Sequence, residues 1–272
     1  MCATCGCSDE SGVRVVDLRP GAVGAPHTHA AGHTHSHGPE HSHGPEHSRP
    51  EVGAHAETIT LEQRVLAKND ELAAHNRGWL DARATVAVNL MSSPGSGKTT
   101  LLERTVRELA ESVPVCVVEG DQETTFDAER IRAAGAPVLQ VNTGSGCHLD
   151  AAMLRTALHT LDPAGGVVLI ENVGNLVCPA LFDLGESARV VIMSVTEGAD
   201  KPLKYPHIFA SATVVVLNKI DLLPYVDFDV ARFEHDVALI NPRAQVMHVS
   251  ATRGDGLEHW REWLMSCGEQ AG

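Results

Sequence analysis

Residues 92–99 read Ser-Ser-Pro-Gly-Ser-Gly-Lys-Thr, between an apolar run at 86–91 and a stretch with helical spacing from 98 to 110. A strand, a glycine-rich turn and a helix in that order leave few architectures open. Gly95 and Gly97 let the backbone turn so that its N–H groups converge on one point. The helix that opens at Lys98 aims its positive end at the same point. The ligand of such a loop is a polyphosphate. Lys98 is placed for the β- and γ-phosphates and Thr99 for a Mg²⁺ ion, with Gly95, Ser96, Gly97 and Thr100 completing the cradle. Ser92 stands where a first glycine is usual.

The rest of the chain after residue 80 alternates strand and helix signals. Short apolar runs at 113–118, 137–141, 167–170, 190–195, 213–217 and 245–249 are separated by helical stretches. This pattern predicts an α/β fold, a P-loop NTPase with a mostly parallel central sheet flanked by helices. Aromatic residues make up only 4% of the chain, so Val, Leu, Ala and Ile must fill the core. A leading helix is expected over 58–80, where Ile59, Leu61, Val65, Leu66 and Leu72 fall roughly on one face. The GTPase domain, counted with that helix, is taken as 57–272.

Asn218-Lys219-Ile220-Asp221 ends the run at 213–217. In this context the Asp221 carboxylate accepts hydrogen bonds from the ring N–H and the amino group of guanine. Adenine has no matching donor pair, and a site built on paired polar groups rejects a base that leaves them unsatisfied. Asn218 and Lys219 belong to the same reader, and Ser250-Ala251 after the last strand resembles a further guanine-contacting loop. The nucleotide is therefore GTP or GDP. Glu171 ends the run at 167–170, with Gly174 three residues on as a sensor of the γ-phosphate. Asp121 ends the run that begins at 113. Both carboxylates are candidates for Mg²⁺, Asp121 also for the attacking water. The competing reading for each is a solvated loop charge or a helix cap. Lys98, Thr99, Asp121 and Glu171 form the expected catalytic set.

A net charge of −14 excludes a general nucleic-acid binder and gives no attraction to anionic membranes. No run approaches the roughly 20 apolar residues that span a bilayer. The first ten residues lack the pattern of a signal peptide. A cytoplasmic protein is expected, and its seven cysteines read as thiols or metal ligands before disulfides.

Three groups carry metal chemistry. Cys2, Cys5 and Cys7 lie within residues 1–8, and three thiolates suit Ni²⁺, Zn²⁺ or Cu⁺, with the amino terminus as a fourth donor. Residues 9–56 are rich in His, Gly and Pro, and contain the repeat HSHGPEHSHGPEHS. They are expected to be disordered and to bind metal through many interchangeable imidazoles. The third group is Cys147, His148 and Cys178. Adjacent residues can share an ion only in a loop or at a helix start, which the glycine-rich run 143–146 supplies. Three ligands leave a tetrahedral ion incomplete, so water or a second subunit completes it. A buried structural cysteine is the competing reading here, and the one adopted outright for Cys116 and Cys267.

Taken together, CATCGC, the His-rich tail, SSPGSGKTT, EGDQETTFDAERI, ENVGNLVCPALFDLGE and TEGADKPLKYPHIF closely resemble the HypB family of hydrogenase nickel-incorporation GTPases. The resemblance covers nearly the whole chain except the variable tail, and Ser92 fits the family's own loop. It implies a homodimerising SIMIBI-class GTPase, dimerising with nucleotide or metal. It further implies a role in [NiFe]-hydrogenase maturation, with a HypA-type metallochaperone and the hydrogenase large-subunit precursor as partners. On the resemblance, Cys2, Cys5 and Cys7 form a tight nickel site. Cys147, His148 and Cys178 form the GTPase-domain metal site at the dimer interface, open to Ni²⁺ or Zn²⁺. A urease-type nickel GTPase is the nearest alternative, and the triple cysteine and the Cys147-His148/Cys178 group argue against it. A nickel store with a vestigial GTPase is opposed by the intact Lys98-Thr99 and Asn218–Asp221 motifs, and an ATPase by Asp221.

Overall fold

The computed structural model describes residues 14–17, 52–110, 112–121, 126–144 and 146–269. Cys2, Cys5, Cys7 and the histidines from His27 to His47 lie outside the described residues. Eight strands form one sheet in the order β1-β4-β3-β5-β2-β6-β7-β8. They are β1 (Arg14–Asp17), β2 (Thr85–Ser92), β3 (Val115–Asp121), β4 (Val138–Asn142), β5 (Gly166–Glu171), β6 (Ala188–Ser194), β7 (Val214–Asn218) and β8 (Gln245–His248). The seven strands from β2 onward run parallel. All seven match apolar runs in the sequence, with ends shifted by up to three residues.

Sheet and helices bury each other through the two-residue strand period. Along β2, Val86, Val88 and Leu90 face a core built with α2 (Lys98–Leu109), α3 (Phe126–Ala133) and α8 (Leu257–Glu269). Ala87 faces the opposite side, under α4 (Ala151–Leu161) and α1 (Val52–Asp81). Met91 joins a third cluster with α6 (Pro206–Ser211) and α7 (Val230–Ile240), while the short α5 (Lys201–Lys204) precedes α6. Every residue of β2 is buried, as expected of a central strand with helices on both faces.

Two features differ from expectation. The segment taken as disordered contributes β1, which pairs antiparallel with β4 from Arg14↔Asn142 to Asp17↔Leu139. Its signal is four residues, Arg-Val-Val-Asp, with Val15 and Val16 both more than a third exposed, too short for a periodic pattern. The leading helix starts at Val52, not residue 58, and its Val65 stays half exposed. Buried asparagines fix it beside the buried Ala73 and Leu80. Asn69 Oδ1 accepts from Ala151 N at 2.9 Å, and Asn76 Nδ2 donates to the carbonyls of Ala151 and Leu184, each at 2.9 Å. Among the described residues no helix is long and apolar enough to cross a membrane.

Candidate nucleotide and metal site

The carboxyl ends of β2, β3 and β5 open on one cavity of about 560 Å³. It is lined by the whole loop from Ser92 to Thr100, by Glu119, Gly120 and Asp121 from β3, and by Glu171, Val173 and Gly174 beyond β5. Lys219 closes its far side. The fold thus gathers Gly95, Ser96, Gly97, Lys98, Thr99, Thr100, Asp121, Glu171 and Gly174, as the motifs predict. A volume of this size admits a nucleotide polyphosphate.

Gly95 and Gly97 take φ of 78° and 92°, values open to glycine. At Gly97 space is also at stake, because an added Cβ would lie 2.5 Å from Asn218 Nδ2. Lys98 donates from Nζ to the carbonyl of Asn172 and lies 3.5 Å from Glu171 Oε1. Thr99 Oγ1 donates 2.7 Å to Glu171 Oε1 and lies 3.1 Å from Asp127 Oδ2. Glu171 is buried, and burial pushes its carboxyl up while Lys98 and Thr99 oppose the shift. Glu119, also buried, is pushed up to about 9, first by burial and then by the negative charges of Glu171 and Asp121. Glu119 Oε2 and Glu171 Oε2 have no hydrogen-bond partner among the described residues. Two buried carboxylates with open oxygens beside a threonine hydroxyl form a hard-oxygen donor set that fits Mg²⁺.

The guanine motif lies beside this cleft and is wired into it. Asn218 Nδ2 donates to Ser96 O at 2.9 Å, and Asn218 Oδ1 accepts from Ala251 N at 3.1 Å. Lys219, with a left-handed φ of 62°, reaches Gly95 O at 2.7 Å. Ser250 Oγ donates to Asp221 Oδ1 at 2.6 Å. Asp221, Ser250 and Ala251 do not line the 560 Å³ cavity, which ends at Lys219.

Cys147, His148 and Cys178 come together. Their ligand atoms all lie within 4.8 Å of one another, with the two sulfurs 2.9 Å apart. A disulfide needs about 2.05 Å, so these are two thiols not joined by a disulfide. Burial lowers the His148 pKa against the pull of Asp150, which favours the neutral ring that ligates metals. His148 stacks on Phe182 at 3.9 Å. Cys116 lies in the core, its thiol pushed up to about 12 by burial, and Cys267 packs half-buried against the core, as expected of structural cysteines.

Sequence reading missed the residue that joins the two sites. Asn172 accepts Lys98 on its backbone oxygen, while its side-chain oxygen accepts from Leu149 N at 3.1 Å, one residue past His148. Further along the same segment, Asn175 Nδ2 donates to Cys147 O at 3.3 Å, and Cys178 then meets Cys147. Gly120 closes the gap from β3, where an added Cβ would meet Leu149 Cγ at 2.8 Å. Asp127, Glu119 and Arg130, which pairs with Asp127 and Glu103, were missed likewise. Side-chain amide contacts across 23 or more residues leave no periodic trace in a sequence.

Residues 86–248 match the model of the CobW/HypB/UreG nucleotide-binding domain, which is more than half of the chain. The hydrogenase maturation factor HypB of Escherichia coli K12 is 52% identical over 221 residues, covering 79% of this chain and 76% of that protein. The chain belongs to the HypB family of hydrogenase maturation factors. A HypB crystal structure from Archaeoglobus fulgidus superposes with a TM-score of 0.70 at 43% identity, over 74% of this chain and 99% of that one. HypB from Helicobacter pylori, solved in complex with nickel, gives 0.71 at 37% identity, over 75% of this chain and 96% of that one. As in the family model it matches, the domain around the phosphate loop is a nucleotide-binding domain.

Proposed function

We propose that the chain is a GTP-hydrolysing metallochaperone that binds nickel and delivers it for [NiFe]-hydrogenase maturation. One observation carries this reading. The segment 171–178 touches the phosphate loop at one end, through Glu171 and Thr99, and the metal cluster at the other, through Cys178 and Cys147. A store with a vestigial GTPase has no use for such a connection.

In this reading Lys98 and the N–H groups of residues 95–100 hold the phosphates, and Asp221 with Asn218, Lys219, Ser250 and Ala251 selects guanine. Thr99, Asp121 and Glu171 hold Mg²⁺, which when bound neutralises charge on the β- and γ-phosphates. Asp121 is also the candidate to orient the attacking water. Cys147, His148 and Cys178 hold the cargo, Ni²⁺ or Zn²⁺, and Cys2, Cys5 and Cys7 form a second, tighter nickel site. Three ligands leave room for a fourth from a second subunit, which supports a homodimer whose assembly answers to nucleotide or metal. The partners are a HypA-type metallochaperone and the hydrogenase large-subunit precursor, in the cytoplasm, with no role for nucleic acid or membrane.

The test is GTP turnover and nickel titration of the full chain, with GDP and with a non-hydrolysable GTP analogue. Turnover together with a nickel affinity that depends on the nucleotide is expected. No turnover under any metal condition would leave only storage.

A further inference from the structure

The central strand carries one buried amide among apolar side chains. Asn89 lies in β2 between Val88 and Leu90, and the two-residue period turns it to the face of Ala87 and Met91. It is fully buried. A buried amide is costly unless its donor and acceptor atoms are paired. Here they are. Asn89 Nδ2 donates to Glu186 Oε1 at 3.2 Å, and Asn89 Oδ1 accepts from Asn172 Nδ2 at 3.3 Å. Glu186 and Asn172 are buried as well.

The carboxylate sets the direction of both amides. Glu186 meets N–H donors on each side: Asn89 Nδ2, Arg189 Nε at 2.6 Å and Leu184 N at 2.7 Å. Its oxygens only accept, so Asn89 must turn its amide nitrogen toward Glu186 and its oxygen toward Asn172. Asn172 must then turn its own amide nitrogen toward Asn89. That leaves Asn172 Oδ1 for the backbone N–H groups of Leu149 at 3.1 Å and Val173 at 3.0 Å. A flipped Asn172 would set a donor against both. Glu186 is itself held from the side of α1. Gly185, with φ of 88°, packs so closely that an added Cβ would lie 2.4 Å from Ala73 O, and Asn76 Nδ2 holds Leu184 O at 2.9 Å.

We propose that Asn89 and Glu186 are positioning residues: they hold Asn172 in the one orientation that serves Lys98 with its backbone and the metal-bearing loop with its side chain, and so pass the state of one site to the other. The inference rests on the reading of Lys98 as a phosphate ligand and of Cys147, His148 and Cys178 as metal ligands. Neither Asn89 nor Glu186 lines the nucleotide cavity. Their effect runs through Asn172, whose carbonyl receives Lys98 and whose side chain holds Leu149, the residue after His148. A phosphate that draws Lys98 away changes the load on the Asn172 backbone. An amide free to rotate would absorb that shift. An amide locked by Asn89 and Glu186 carries it to Leu149 and the metal ligands beside it.

The experiment is a double-mutant cycle in the full chain carrying Cys2→Ala/Cys5→Ala/Cys7→Ala, so that no amino-terminal thiolate reports. The readout is the thiolate-to-nickel charge-transfer absorbance of Cys147 and Cys178, with free Ni²⁺ set by a chelator buffer. It is taken with GDP and with a non-hydrolysable GTP analogue, and gives the ratio of nickel affinities in the two states. Asn89→Ala should move this ratio about twofold or more toward unity. Glu186→Gln, which keeps the size of the side chain, should move it the same way and serves where the alanine variant does not fold. Asn89→Ala/Asn172→Ala should lose no more than Asn172→Ala alone, because both changes act on one group. A merely structural role would lower the unfolding midpoint and leave the ratio unchanged. An unchanged ratio, or losses that add in the double variant, overturns the positioning role while both sites stand. A reference chain that binds neither nickel through its thiolates nor guanine nucleotide overturns the reading of the sites, and the positioning role with it.

Discussion

Asn218 holds the carbonyl of Ser96 at 2.9 Å, so the residue that opens the guanine motif also braces the phosphate loop. The same side chain accepts from Ala251 N, and it is buried. Asn218→Ala strands a buried carbonyl and a buried N–H, and should destabilise the domain by about 1–3 kcal/mol. Nucleotide affinity should fall for every nucleobase, because the loop itself loosens. Thermal unfolding and titration with GDP and ADP measure both effects. A variant that lost only its preference for guanine would restrict Asn218 to the base.

Asp221→Asn should act in the opposite manner. Its Oδ1 can still accept from Ser250, so the fold keeps its stability. The new amide nitrogen faces the 2-oxo group of xanthine in place of the guanine amino group. GTP affinity should fall and xanthosine triphosphate affinity rise. Unaltered preference in competition binding would remove Asp221 from base reading.

The raised Glu119 pKa gives a pH signature to the nucleotide-free protein. Its carboxyl ionises near 4.5 when the chain unfolds and at about 9 in the fold. The folded state therefore binds the extra proton between these values, and stability falls as pH rises through this window. Glu119→Gln should flatten that slope and stabilise the empty protein at pH 8 relative to wild type. Denaturant melts at pH 5 and pH 8 supply the comparison. An identical pH slope in both proteins would mean Glu119 is ionised in the fold.

The link through Asn172 predicts a thermodynamic coupling. Metal affinity at Cys147, His148 and Cys178 should differ between GTP and GDP states by a few-fold to about a hundred-fold. Cys178→Ala should abolish the difference. Asn172→Ala, which keeps all three metal ligands and frees Leu149 N, should shrink it while metal still binds. Titrations of a chain lacking the first 56 residues, in both states, read this out. Equal affinities in the wild type would make the cluster a structural or dimer-bridging site.

The sheet and its site were legible to different depths. Strands buried on both faces announce themselves as apolar runs, which is why residues 86–91 and 213–217 located β2 and β7. The phosphate loop was legible because its chemistry needs glycine, lysine and threonine at fixed spacing. Cys147, His148 and Cys178 were legible as types, but thirty residues of chain separate the last from the others, and the fold alone shows the sulfurs in contact. β1 was hidden because an edge strand of four residues needs no pattern, only a free neighbour. The clamps at Asn69 and Asn76 were hidden for a related reason, since an asparagine that satisfies distant carbonyls looks like any surface residue in a helix.

The ammonium of Lys98 bonds the carbonyl of Asn172 and lies near Glu171. Immobilising a lysine side chain takes about 1.5–2 kcal/mol of rotamer entropy, and these two protein partners already order it. Arrival of nucleotide is then an exchange of partners by a lysine already in place.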